Sequence, residues 1–97
     1  MKLTKLKLKN NLSCLLIDEP FYNSIYVSLF VKVGGNDETY GKSKNIKDCT
    51  FGLAHFCEHL LFTGTQKRNK KGEIYETAQS LGGRLNAYTA DDHTKYH

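Results

Sequence analysis

Cysteine is scarce and unpaired in this chain. Cys14, Cys49 and Cys57 make an odd count with no Cys-x-x-Cys pair, which argues against a disulfide framework and against a thiolate zinc site. No stretch approaches the roughly eighteen apolar residues of a bilayer span, so no membrane-crossing helix is expected. The N-terminus also lacks the apolar core of a signal peptide. Its first seventeen residues carry lysines and no acid, yet they lack the arginine and serine enrichment of a mitochondrial presequence. A reducing, cytosolic location is expected, with a mitochondrial one left open.

Proline occurs once in 97 residues, and neither a repeat nor a low-complexity segment is present. With 39% hydrophobic and 25% charged residues, disordered and fibrous classes are set aside in favour of an ordinary globular chain, small enough to be one domain or part of one. Basic residues exceed acidic ones by 14 to 10. The excess sits in Lys2, Lys5, Lys7 and Lys9 and in Lys67, Arg68, Lys70 and Lys71. Neither cluster interleaves with aromatics or forms a recognisable nucleic-acid motif, so no nucleic-acid partner is expected.

Leucines interleave with lysines from Lys2 to Lys9, Asn10-Asn11 offers a turn, and Leu12–Asp18 is mostly apolar, which together predict a β-hairpin. Ser24–Val33 alternates, with Ile25, Val27, Leu29, Val31 and Val33 on one face, and predicts a strand. Gly34 to about Thr50 reads as a loop. Phe51–Thr63 places Leu53, Phe56 and Leu60 at helical spacing, with Gly64 where a glycine stops a helix. Gly72–Leu81 predicts a second helix ending at Gly82-Gly83, and Leu85 to about Tyr96 a last strand. The order implies an α/β or α+β sandwich, a mixed sheet with helices packed on one face.

The chemistry lies in His55-Phe56-Cys57-Glu58-His59. Histidines four apart share a helix face and stand close enough to ligate one ion. Catalytic zinc takes three protein ligands and leaves a position for water, and a carboxylate on the same face can act as base on that water. His55 and His59 are therefore the candidate Zn2+ ligands and Glu58 the candidate catalytic base, the inverted H-x-x-E-H pattern of a metallopeptidase. The plain alternative is three polar residues on an exposed helix face. Cys57, about 200° around the helix from His55, is expected to point away and pack as a small apolar group.

Gly52-Leu53-Ala54-His55-Phe56-Cys57-Glu58-His59-Leu60-Leu61-Phe62-Thr63-Gly64-Thr65 closely resembles the zinc signature of the insulinase (pitrilysin) family, and its Phe-Cys resembles the insulin-degrading-enzyme branch. Further blocks agree in order: Leu8-Lys9-Asn10, Leu15-Leu16-Ile17-Asp18, Val31-Lys32-Val33-Gly34 and Leu85-Asn86-Ala87-Tyr88-Thr89. The resemblance implies a zinc metalloendopeptidase acting on peptides or unfolded proteins. It also implies that Asn86 and Ala87 contact the substrate backbone, and that residues 1–97 are the incomplete N-terminal part of an insulinase-type domain. By composition alone Asn86 is a turn or strand-start residue.

In that family the third zinc ligand is a glutamate on a later helix, beyond the span of this chain. Glu73, Glu76, Asp91, Asp92, His93 and His97 are read as surface or structural residues rather than replacements. The 97 residues alone are accordingly expected to be weak or inactive in catalysis. Two rival readings stand beside the peptidase: a non-catalytic, truncated homologue serving as a scaffold subunit, and a small zinc-binding protein without catalysis. Whether the protein associates with itself or with others is left open.

Overall fold

The structure is a computed structural model and describes residues 1–37, 39–40, 47–48 and 52–97. The N-terminal hairpin is borne out, with β1 (Lys2–Lys7) antiparallel to β2 (Ser13–Asp18) and register from Lys2↔Asp18 to Lys7↔Ser13. Its turn uses Asn11 at φ 68°, a conformation that asparagine tolerates better than most residues. Asn10 Oδ1 accepts from the Leu12 N–H at 3.1 Å and closes the turn.

The long central strand is shorter than its alternation suggests. Of Ser24–Val33 only Leu29–Val31, β3, pairs. Alternation decides which side chains share a face, but a strand exists only where a neighbour supplies hydrogen bonds. That neighbour is the short β7 (Thr94–Tyr96), whose Tyr96 stands opposite Leu29.

The last strand is in fact two. β6 (Ala87–Thr89) turns back at Ala90–His93 into β7, and the Ala90 N–H bonds the His93 carbonyl at 2.8 Å. Asp91-Asp92 is ordinary turn chemistry that a single-strand reading overlooks. The resulting order is β3-β7-β6, antiparallel throughout, with β6 at the edge. The expected loop also holds a short antiparallel ribbon, β4 (Thr39–Tyr40) with β5 (Lys47–Asp48). The rest of that loop beyond Asp37, with Cys49 and the helix start expected at Phe51, lies outside the described residues.

Two helices follow. α1 (Leu53–Leu61) stops at Phe62 rather than at Gly64, because the Phe62 N–H reaches back to the His59 carbonyl at 3.2 Å and the Thr63 N–H to the Leu60 carbonyl at 3.0 Å, which tightens the last turn. α2 (Glu73–Ser80) ends as expected, with Gly82 at φ 76° and the Gly83 N–H on the Ala78 carbonyl at 2.9 Å.

Ala54, Glu58 and Phe62, four residues apart, form the side of α1 turned toward β6 and β7. The Phe62 ring lies 5.9 Å from Tyr96 of β7 and stacks on Tyr75 of α2 at 5.3 Å. α1 thus sits on the three-stranded sheet, α2 joins it through the Tyr75–Phe62 stack instead of packing on the strands as expected, and the α+β class holds. The apolar stripe expected of α1 is not its buried side: Phe56 is 60% and Leu60 45% exposed. Cys57 is exposed as well, not packed as expected. Among the described residues no apolar side chain is buried, and the two that are buried are Glu58 and Thr94. The radius of gyration, 16.4 Å, exceeds the roughly 13 Å of a compact chain of this length.

Gly34 marks the tightest backbone approach. The segment after β3 is stitched to the β6–β7 turn by the Gly35 N–H on Ala90 O and the Asn36 N–H on Asp91 O, both 2.8 Å. A Cβ on Gly34 would collide with Ala90 O and come within 2.6 Å of Asp91 O. Gly34→Ala is expected to destabilise the protein by about 1–3 kcal/mol, read as a lowered midpoint of chemical denaturation. Gly35→Ala, whose Cβ meets Ala90 O at an ordinary 3.7 Å, is the near-neutral control.

Candidate active site

The seating of α1 turns Glu58 inward and carries the two histidines to the rim. His55 and His59 each lie one residue past the inward positions 54 and 58, about 100° further around the helix. Both are exposed, and their Nε2 atoms stand 3.0 Å apart. One ligand atom from each of His55, Glu58 and His59 lies within 4.8 Å of the other two. The sequence reading of these three as neighbours on one surface is met in the geometry.

Two imidazole nitrogens that each bind zinc at about 2.0–2.1 Å can be separated by at most about 4.2 Å. The 3.0 Å spacing falls within that reach, and the donor set of two imidazoles with a carboxylate alongside suits zinc. Among the described residues no other histidine, cysteine, aspartate or glutamate joins the group. The substitutes considered from sequence are engaged elsewhere or remote. Glu73 Oε2 accepts the Lys70 N–H at 3.2 Å. His93 Nδ1 and Asp92 Oδ1 pair at 2.7 Å, and this partner holds the Asp92 carboxyl below its usual range.

The three residues open onto a groove of about 900 Å³, whose far side is β6 with Asn86, and whose near wall includes Phe62, Tyr75 and Lys71. That volume suits a ligand of several residues' side chains rather than a single ion. Asn86 is exposed and Ala87 half-buried on this wall. The Asn86 backbone is already paired with His97, through N–H···O contacts of 2.7 and 2.8 Å in both directions. Antiparallel alternation therefore leaves the main-chain groups of Ala87 and Thr89 on the open edge of β6. The Ala87 N–H is covered for now by the Asn86 side-chain carbonyl at 2.9 Å.

One member of the site was not read from the sequence. Thr89 Oγ1 donates to Glu58 Oε2 at 2.6 Å, across thirty-one positions of chain. The available signal was period two: from Ala87, the next residue on the same face of the strand is Thr89. Phe62, Tyr75 and Lys71 were likewise not singled out, since nothing in their local spacing marks them as wall residues.

Residues 14–97 match the family described as Insulinase (Peptidase family M16). The chain belongs to this family. It is 41% identical over 91 residues to an uncharacterized zinc protease of Rickettsia bellii (strain RML369-C), covering 94% of this chain and 20% of that protein. It is 40% identical over 91 residues to the A-factor-processing enzyme of Saccharomyces cerevisiae (strain ATCC 204508 / S288c), covering 94% and 8%. The insulin-degrading enzyme of Homo sapiens is 36% identical over 92 residues, covering 95% and 8%. The chain thus spans between 8% and 20% of the length of these relatives. No solved structure matches the insulinase-family chain at a significant level. Among its described residues no helix is long and apolar enough to cross a membrane.

Behind the candidate site, burial pushes the Tyr96 phenol above its usual value, and the nearby Glu58 and Cys57 charges push in the same direction. Alkaline spectrophotometric titration is expected to show a tyrosine component that ionises above the ordinary phenol range. Tyr96→Phe is expected to remove that late component and leave the earlier ones unchanged.

Proposed function

We propose that this chain carries the metal-holding part of the active site of a zinc-dependent endopeptidase that hydrolyses peptides or small unfolded proteins. The observation that supports it most is the pair of Nε2 atoms 3.0 Å apart beside a buried carboxylate, on the wall of a groove bounded by a strand edge that is unpaired among the described residues. In this reading residues 1–97 are part of a larger insulinase-type domain. His55 and His59 hold the metal through Nε2, and the third protein ligand comes from outside residues 1–97, as the family pattern implies.

When bound, zinc supplies Lewis-acid activation of water and of the scissile carbonyl. Glu58 takes a proton from the attacking water as its oxygen bonds to the carbonyl carbon, and delivers that proton to the amide nitrogen as the C–N bond breaks. An extended substrate lies along the edge of β6, pairing with the main-chain groups of Ala87 and Thr89 as an added strand. The Asn86 side-chain amide, released from the Ala87 N–H, is placed to bond a substrate main-chain group. Free Cys14 and Cys57 suit a reducing compartment, which supports a cytosolic placement.

Two measurements test the reading. His55→Ala and His59→Ala are each expected to lower zinc content, measured by atomic absorption after dialysis, well below one ion per chain. Glu58→Gln is expected to keep the zinc and lose about 10²–10⁴-fold in kcat on a quenched fluorescent peptide. Wild-type turnover by Glu58→Gln would remove the proposal.

A further inference from the structure

The Thr89 hydroxyl does more than satisfy a buried carboxylate. Glu58 has a long side chain with several rotatable bonds, and a general base must be held within a fraction of an ångström of its working geometry. Nothing on α1 itself holds it: the described hydrogen bonds of its carboxylate reduce to the one from Thr89 Oγ1 to Oε2, at 2.6 Å. A hydroxyl donating to a carboxylate at that length is a short, charge-assisted bond, about twice as strong as a neutral one. The other oxygen, Oε1, has no hydrogen-bond partner among the described residues, and Glu58 lines the groove.

Thr89 is itself well anchored. It is β-branched, with few χ1 choices, and stands directly opposite Thr94 across the β6–β7 pair. Thr94 is buried, at 3% exposure, and its Oγ1 donates to the Val33 carbonyl at 2.8 Å. A line of contacts thus runs from Val33, two residues past β3, through two facing threonines to the Glu58 carboxylate.

We propose that Thr89 is a positioning residue, which occupies Oε2 of Glu58 and so makes Oε1 the atom that accepts and returns the proton. The inference rests on the peptidase reading above. It concerns the direction of the carboxylate, not metal binding or substrate affinity.

The test uses the protein as its gene encodes it, loaded with zinc, on a quenched fluorescent peptide. Thr89→Val, which replaces the hydroxyl by a methyl of like size, is expected to lower kcat about 10- to 100-fold with KM changed by no more than about two-fold. Zinc content should be unchanged. Thr89→Ser, which keeps the hydroxyl, is expected to stay within about three-fold of wild type. In the Glu58→Gln background Thr89→Val should cost nothing more, because the two residues act as one unit.

Independently of turnover, the infrared carboxylate band of Glu58 is read in metal-free protein labelled with ¹³C-glutamate and identified by its loss in Glu58→Gln. It should shift in Thr89→Val and not in Thr89→Ser. If Thr89→Val does not fold, Thr89→Ala carries the same comparisons. The inference is overturned if Thr89→Val turns over like wild type while Glu58→Gln is dead, or if Thr89→Ser falls as far as Thr89→Val. An active Glu58→Gln sinks the peptidase reading itself, and the role of Thr89 with it.

Discussion

A charged residue placed on the packing side of a helix governs the arrangement around it. Glu58 sits at the centre of the side of α1 that meets β6 and β7, where a leucine would be the ordinary choice. A carboxylate buried without a hydrogen bond is costly, so the helix can seat only where a donor waits. Thr89 supplies it at 2.6 Å. That bond sets the rotation of α1 on the sheet, and the rotation decides that His55 and His59, one step around the helix, open onto the groove beside the free edge of β6. The two histidines and the strand edge become neighbours through a single polar contact.

The same constraint explains why so little apolar surface is covered. The inward side of α1 is made of Ala54, Glu58 and Phe62, while Phe56 and Leu60 lie on the opposite side and stay exposed, as does Leu61. The outer face of the sheet organises differently: Lys95 Nζ lies over the Phe30 and Tyr88 rings of the neighbouring strands at 5.3 and 6.0 Å and over the Tyr26 ring at 5.2 Å. The described elements are therefore held by ladders, turns and a few specific side-chain contacts rather than by a hydrophobic core.

Much of this was legible in the residues. Spacing placed two helices, the Asn10-Asn11 turn and the Gly82 stop, because those signals are local: capping, turn chemistry and a 3.6-residue period act within a few positions of themselves. The failures share the opposite cause. Ser24–Val33 alternates over ten residues but pairs over three, since pairing needs a partner. Leu85–Tyr96 is apolar enough to pass for one strand, and only the Asp91-Asp92 reversal shows that it is two. Phe56 and Leu60 mark an apolar stripe that local spacing cannot orient toward or away from a sheet.

By itself the sequence determined the chemistry on offer: two imidazoles and a carboxylate at i, i+3 and i+4 of a helix, residue types that resemble one family's zinc signature in a chain with no thiolate alternative. Those follow from helix geometry and side-chain chemistry, which need no distant partner. Only the tertiary structure decided that Glu58 faces inward, that Thr89 holds one of its oxygens, and that the groove is closed by β6 with Ala87 and Thr89 on its free edge. Each of these joins residues roughly thirty positions apart, and a contact of that separation depends on how elements pack, which no local pattern encodes.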